Sequence, residues 1–99
     1  MIHLEDLLNW KDSGVIPEDL PHLLQALLLD ASGNWDAAHR IAQNDMSQDG
    51  SWVHAYLHRK EGDLGNAGYW YRRAGKEMPP LSLEEEWEYI AQALLERQT

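Results

Sequence analysis

Apolar residues recur at intervals of three and four along most of the chain, and β-branched residues are scarce. This spacing is typical of amphipathic helices, because a strand would place apolar residues at every second position. Leu, Ala, Glu and Gln, which all favour helices, supply much of the sequence. One such apolar stripe is Leu20, Leu23, Leu24, Leu27 and Leu28. The pattern predicts an all-α domain of five to six helices.

Glycines and capping residues mark where these helices end and begin. The predicted helices begin near residues 3, 19, 35, 51, 64 and 83, and residues 44–50 are predicted to form a polar loop. Asn34 and Asp63 have the side chains that cap helix N-termini, and Ser82 with Glu85 forms a capping box. Gly62 is expected to end the fourth helix. Glu84–Glu86 are interpreted as an acidic first turn that the helix dipole favours.

Length and charge narrow the classes of function. The chain has 99 residues, no cysteine and a net charge of −9, so we expect one small domain without disulfides or thiolate metal sites. A negative field opposes binding to nucleic acid or to an anionic membrane. The N-terminal segment has the features of neither a signal peptide nor a membrane span. We therefore expect a soluble cytoplasmic protein that contacts neither nucleic acid nor membrane.

The chain contains an internal repeat of about 29 residues, which is expected of paired helices joined by Gly turns. Small residues in the middle of such helices allow close approach, while large side chains fill the flanking space. The aligned residues of the first copy are Ala26, Gly33, Trp35, Ala38 and Ala42. Those of the second copy are Ala55, Gly62, Leu64, Ala67 and Tyr71. The repeat predicts two helical hairpins over 17–80, flanked by an N-terminal helix and connection (1–16) and a C-terminal capping helix (81–99).

The second copy resembles the tetratricopeptide repeat. The matching residues are Ala55, Gly62, Leu64, Ala67, Tyr71, Ala74 and Pro79. The segment around Trp52–Arg59 and Tyr69–Gly75 also resembles a family of small uncharacterised bacterial proteins. The repeat resemblance implies a right-handed stack of hairpins in which one face of the fourth helix lines a peptide-binding groove. The residues that fall on this face are Asp49, Trp52, Tyr56, Arg59 and Lys60.

The aromatic and basic residues of the fifth helix form a second candidate surface. Tyr69, Trp70 and Tyr71 are consecutive, so they cannot all face the core. The repeat resemblance places Tyr71 inward, and we predict Trp70 against the sixth helix or a neighbour and Tyr69 outward beside Arg72 and Arg73. Residues 59–76 carry a local charge of +3, whereas the remainder carries −12. Because paired helices separate their ends, Arg59 and Lys60 are predicted to lie far from Arg72 and Arg73.

Two histidines suggest a different function. His54 and His58 lie four residues apart on one predicted helix face, which is the spacing of two metal ligands. They can equally be polar aromatic residues that hydrogen-bond at a helix crossing. The other histidines, at positions 3, 22 and 39, are isolated in sequence. No arrangement of nucleophile and base, phosphate loop or dinucleotide turn is recognisable, so no catalytic residue and no cofactor is predicted.

These observations favour a non-enzymatic module that binds a protein or peptide, and a homodimer is a possible assembly. The predicted binding residues are Trp52, His54, Tyr56, His58, Arg59, Tyr69, Arg72 and Arg73. The alternative is a protein that binds a small anionic ligand or a metal through His54 and His58 with adjacent Tyr and Arg side chains, and that could be hydrolytic.

Overall fold

The computed structural model describes residues 1–97 and consists of six α-helices without a strand in that range. The helices are α1 (Leu4–Ser13), α2 (His22–Ala31), α3 (Trp35–Gln43), α4 (Gln48–Glu61), α5 (Leu64–Arg73) and α6 (Leu83–Glu96). The predicted all-α class is confirmed. Residues 98 and 99 of the predicted C-terminal segment lie outside the described residues.

Helix ends form where the capping residues predicted them. The side chain of Asn34 accepts from the backbone N–H of Ala37 at 3.3 Å, and that of Asp63 accepts from Asn66 at 3.2 Å. Ser82 and Glu85 form the reciprocal capping box that opens α6. Gly62 follows α4 with a φ of 92°, a left-handed conformation that only glycine adopts without strain.

Two predicted helix starts are wrong by several residues. Helix α2 begins at His22 rather than near residue 19, because residues 18–20 form a turn and Pro21 takes the capping position. Helix α4 begins at Gln48, three residues before the predicted start. Ser47 caps it by accepting from the backbone N–H of Gly50 at 3.0 Å, so much of the predicted polar loop is helical.

Helix α4 lies at the centre of the molecule. It packs most extensively against α5 and also contacts α2, α3 and α6, while α2 packs chiefly against α3. Every residue from 50 to 58 is buried, which is the state expected of a helix with neighbours on all sides. Helix α6 also contacts α1 and α2, and the indole of Trp87 donates to the carbonyl of Leu27 at 2.9 Å. No helix among the described residues is long and apolar enough to cross a membrane.

Glu86 departs from its predicted place in an exposed acidic turn. Its side chain is fully buried and accepts from the guanidinium of Arg59 at 2.7 Å and from the hydroxyl of Tyr71 at 2.6 Å. The inward position predicted for Tyr71 is thereby confirmed, since its ring is 1% exposed. The first turn of α6 is therefore acidic on its outer side, while Glu86 lies in the core between α4, α5 and α6.

Candidate metal centre and the predicted binding face

Helices α3 and α4 bring three histidines together beneath the surface. His54 and His58 lie one turn apart on α4, and His39 reaches them from α3. One ring nitrogen from each residue lies within 4.8 Å of the other two. The Nε2 atoms of His39 and His54 are 3.0 Å apart, which is hydrogen-bond distance. We call His39, His54 and His58 the histidine cluster.

Two tryptophans hold the imidazole rings of the histidine cluster in place. The indole of Trp35 stacks on His39 with ring centroids 4.7 Å apart, and its Nε1–H donates to the carbonyl of Leu57 at 2.8 Å. From α5, Trp70 stacks on His54 at 4.0 Å. Trp70 was predicted to pack against the sixth helix or a neighbour, and the ring on which it stacks belongs to α4. Each ring is thus confined by packing as well as by hydrogen bonds.

A carboxylate orients the third histidine. Oε2 of Glu61 lies 2.6 Å from Nδ1 of His58, so a neutral His58 carries its proton on Nδ1 and presents Nε2 as the acceptor nitrogen. Histidines that ligate metals commonly hydrogen-bond a carboxylate in this way, which fixes the tautomer and increases the basicity of the ligating nitrogen. The amide nitrogen of Asn66 is 3.4 Å from Nε2 of His58.

Burial favours the neutral forms of His39 and His54. His54 is 4% exposed, and its Nδ1 has no hydrogen-bond partner. Desolvation, followed by the nearby positive charges of His39 and His58, lowers the pKa of His54 to about 4. Desolvation also lowers the pKa of His39, to which the charge of His58 contributes. Near neutral pH, His39 and His54 are therefore uncharged imidazoles, the form in which histidine binds metals.

The groove predicted on α4 is contradicted. Trp52 is 3% and Tyr56 is 2% exposed, so neither can form the wall of an open peptide-binding surface. Arg59 points inward to Glu86 and also donates to the carbonyl of Leu81. The prediction required one face of α4 to be open, whereas α4 contacts α2, α3, α5 and α6.

Lys60 is also bound within the molecule. Its ammonium lies 3.1 Å from Oδ2 of Asp30, a carboxylate that is almost completely buried on α2. Burial raises the pKa of Asp30, and the hydrogen bond and charge of Lys60 partly oppose that rise. Asp49, the remaining residue of the predicted face, pairs with Arg97 at 2.9 Å. The basic residues that end α4 therefore connect helices to one another.

The α5 surface agrees with its predicted orientation. Tyr69 is 45% exposed, and both Arg72 and Arg73 are exposed. The guanidinium of Arg73 lies 5.4 Å from the ring centroid of Trp70 and donates to the hydroxyl of Tyr69 at 3.3 Å. These residues form a basic, aromatic surface on α5.

His39 is the member of the cluster that sequence reasoning missed, because it lies 15 residues from His54. A weak signal is present: Trp35 and His39 lie four residues apart on α3, so they share one helix face. Only the packing of α3 on α4 places that face against His54 and His58.

A scan against protein-family models, a search of curated proteins and a search of solved structures each found no match.

Proposed function

We propose that this protein binds a transition-metal ion through His39, His54 and His58. The observation that carries the proposal is the convergence of three imidazoles from two helices, with one nitrogen of each within 4.8 Å of the others. Metal binding gives the cluster a function that core packing does not require.

The spacing of the three nitrogens suits a small ion after modest side-chain movement. A zinc–nitrogen bond of about 2.0–2.1 Å in a tetrahedral site separates two ligating nitrogens by roughly 3.4 Å. The cluster spans separations from 3.0 Å to at most 4.8 Å, which bracket that value. Imidazole ligands favour zinc, copper, nickel and cobalt, whereas magnesium and calcium prefer oxygen ligands. The expected ion is therefore a divalent transition metal.

The test is metal titration of protein purified without an affinity tag. We expect Zn²⁺ and Co²⁺ each to bind with one ion per chain at the cluster, as measured by calorimetry. His39→Gln is the most informative variant because His39 is only partly buried, and we expect it to weaken binding by at least roughly 100-fold, because losing a ligand costs more than losing a hydrogen-bond partner of a ligand. His22→Gln, which changes an exposed histidine on α2, is the matched control.

Two results would contradict the proposal. One is a wild-type protein that binds no Zn²⁺, Co²⁺, Ni²⁺ or Cu²⁺ at micromolar concentration. The other is equal loss of affinity in His39→Gln and His22→Gln, which would place the ion elsewhere. Circular dichroism of each variant shows whether the helical fold is retained.

We propose a second function for the surface of Tyr69, Arg72 and Arg73, namely contact with an acidic segment of a protein partner. It is supported by an exposed aromatic ring flanked by two arginines on a protein that is otherwise strongly acidic. Aromatic and arginine side chains are those most enriched at protein interfaces. This retains the predicted interaction module with only the α5 part of the predicted surface.

A Glu-rich peptide labelled with a fluorophore tests this surface by fluorescence anisotropy. Arg72→Gln with Arg73→Gln should abolish binding, and Tyr69→Ala should weaken it. Arg40→Gln, an exposed arginine on α3, should leave affinity unchanged. The surface is excluded if the wild-type protein does not bind, or if Arg40→Gln is as harmful as the double variant. A second copy of the chain is distinguished by measuring the molecular mass in solution.

A further inference from the structure

The number of available ligands at the histidine cluster is smaller than a metal requires. Zinc and cobalt in proteins take at least four ligands, and sites with three protein ligands complete the shell with water or another molecule. Among residues 1–97, the carboxylates grouped with His58 are those of Glu61 and Asp63. Glu61 bonds to Nδ1 of His58, and Asp63 accepts from the backbone of Asn66 as the cap of α5. Both carboxylates therefore already have hydrogen-bond partners, and the three imidazoles are the expected protein ligands of the ion.

The charge of the site favours an anion in the remaining position. Three neutral imidazoles leave the 2+ charge of the ion uncompensated, and a charge that is removed from water needs a partner. The carboxylates grouped with His58, those of Glu61 and Asp63, are both exposed, so solvent weakens their effect on the ion. An anion bound directly to the metal would compensate its charge more effectively. A monoanion therefore suits this position better than an uncharged ligand.

The surroundings limit the size of that anion. His54 and His58 are 4% and 6% exposed, and the indoles of Trp35 and Trp70 lie against His39 and His54. His39 is only partly buried, so approach from solvent is along the α3 side of the cluster. An ion of two or three heavy atoms, such as azide or formate, can enter where a bulky ligand would have to displace an indole.

We infer that a metal bound by His39, His54 and His58 keeps one coordination position that exchanges its water for a small monoanion from solution. This inference rests on the proposed metal binding. The exchange is a ligand substitution: the metal–water bond breaks, the metal–anion bond forms, and the oxidation state of the metal is unchanged. Such an exchangeable position is the chemical requirement for a metal to activate water.

Visible absorption of the Co²⁺-loaded protein tests the inference, because the d–d bands of Co²⁺ depend on the number and type of its ligands. We expect azide and formate to change the bands with saturation, and neutral imidazole to have little effect at the same concentration. Glu61→Gln removes the negative charge next to His58 and should increase azide affinity by roughly tenfold, since the anion no longer meets a like charge. Glu88→Gln, an exposed glutamate on α6, should leave azide affinity unchanged.

The possible failures are distinguishable. Absence of protein-bound Co²⁺ bands would overturn the proposed function. Bands that azide does not change, in a protein that binds Co²⁺ at the cluster, would overturn only the open position. If azide changes the bands of Glu61→Gln but not of the wild type, Glu61 is the fourth ligand and the inference is wrong. An equal response to azide and to neutral imidazole would overturn the selectivity for anions.

Discussion

Glu86 and His54 are both buried, but their polar atoms are satisfied to different degrees. Glu86 accepts from Arg59 and Tyr71, so its charge is paired and its oxygens have donors. His54 is bonded to His39 through Nε2, while its Nδ1 has no partner. Because a buried charge without compensation is costly, His54 resists protonation. Because protonation of His54 would place an uncompensated charge in the core, the stability of the metal-free protein should depend on pH through this residue.

We predict that the free energy of unfolding of the metal-free protein falls as pH decreases from about 6.5 to about 4. His54 has a pKa near 4 when folded and 6.5 when unfolded. Between these two pH values the unfolded state therefore binds more protons than the folded state. The contribution of His54 to the free energy of unfolding is complete above pH 6.5 and is lost as the pH falls to about 4. The expected loss is on the order of 3 kcal/mol, measured by urea denaturation at several pH values. His54→Gln should show a smaller slope, and an unchanged slope would contradict the assignment.

The histidine pair could be predicted from its spacing, but the third histidine could not. Residues four apart on a helix share a face whatever the fold is, which is why His54 and His58 were recognisable. His39 joins them only through the packing of α3 on α4, and no local pattern encodes that contact. Glu86 was missed for the same reason: its buried role depends on Arg59, which lies 27 residues away.

At the scale of the helices, the N-terminal turn of α4 packs closely against the segment before it. A Cβ added at Gly50 would overlap the backbone oxygen of Asp45 and come within 2.7 Å of its side-chain carbons. Gly50 is buried and in helical conformation, so it is required for close approach rather than for an unusual backbone angle. By contrast, a Cβ at Gly65 in α5 would meet no atom within 4 Å.

We predict opposite effects of the same substitution at these two glycines. Gly50→Ala should decrease the free energy of unfolding by roughly 1–3 kcal/mol, because the backbone must shift to relieve the overlap. Gly65→Ala should increase it by about 0.5–1 kcal/mol, because alanine reduces the entropy of the unfolded chain without a clash. Chemical denaturation of both variants provides the comparison. Equal effects at the two positions would show that α4 does not need this close approach.

Helix boundaries were predictable where a side chain determines them locally. Asn34, Asp63 and the Ser82–Glu85 box each act within a few residues, and each was identified from sequence. The start of α4 was placed too late because the polar segment 44–50 resembles a loop in composition. The cap that begins α4, the side chain of Ser47 accepting from Gly50, lies within this polar segment and was not recognised there.

At the scale of the whole molecule, α6 connects helices that are distant in the chain, so we expect the helices to unfold together. A linear stack would connect each hairpin only to its neighbours, whereas α6 contacts α1, α2 and α4. Buried residues from all six helices form one hydrophobic core. The similarity to tetratricopeptide repeats stays a prediction, since it rests on the sequence positions alone.

We predict a single cooperative unfolding transition. Far-UV circular dichroism and tryptophan fluorescence should give the same midpoint in urea, because tryptophans on α1, α3, α4, α5 and α6 report on the same core. Separate midpoints would indicate that the α2–α3 and α4–α5 pairs unfold independently. The variant Trp87→Phe, which removes the bond to Leu27, tests whether α6 couples them: we expect a lower midpoint and still one transition.

The all-round burial of α4 also constrains how this sequence can diverge. Each residue from 50 to 58 is buried, so a new side chain there must be accommodated by a neighbouring helix. Acceptable changes should therefore arise in correlated pairs rather than singly. The pairs to follow are Arg59 with Glu86, and His54 with His39 or Trp70. Residues 50–58 should then change mainly together with their contact partners, whereas exposed positions of α1 and α6 can be substituted one at a time.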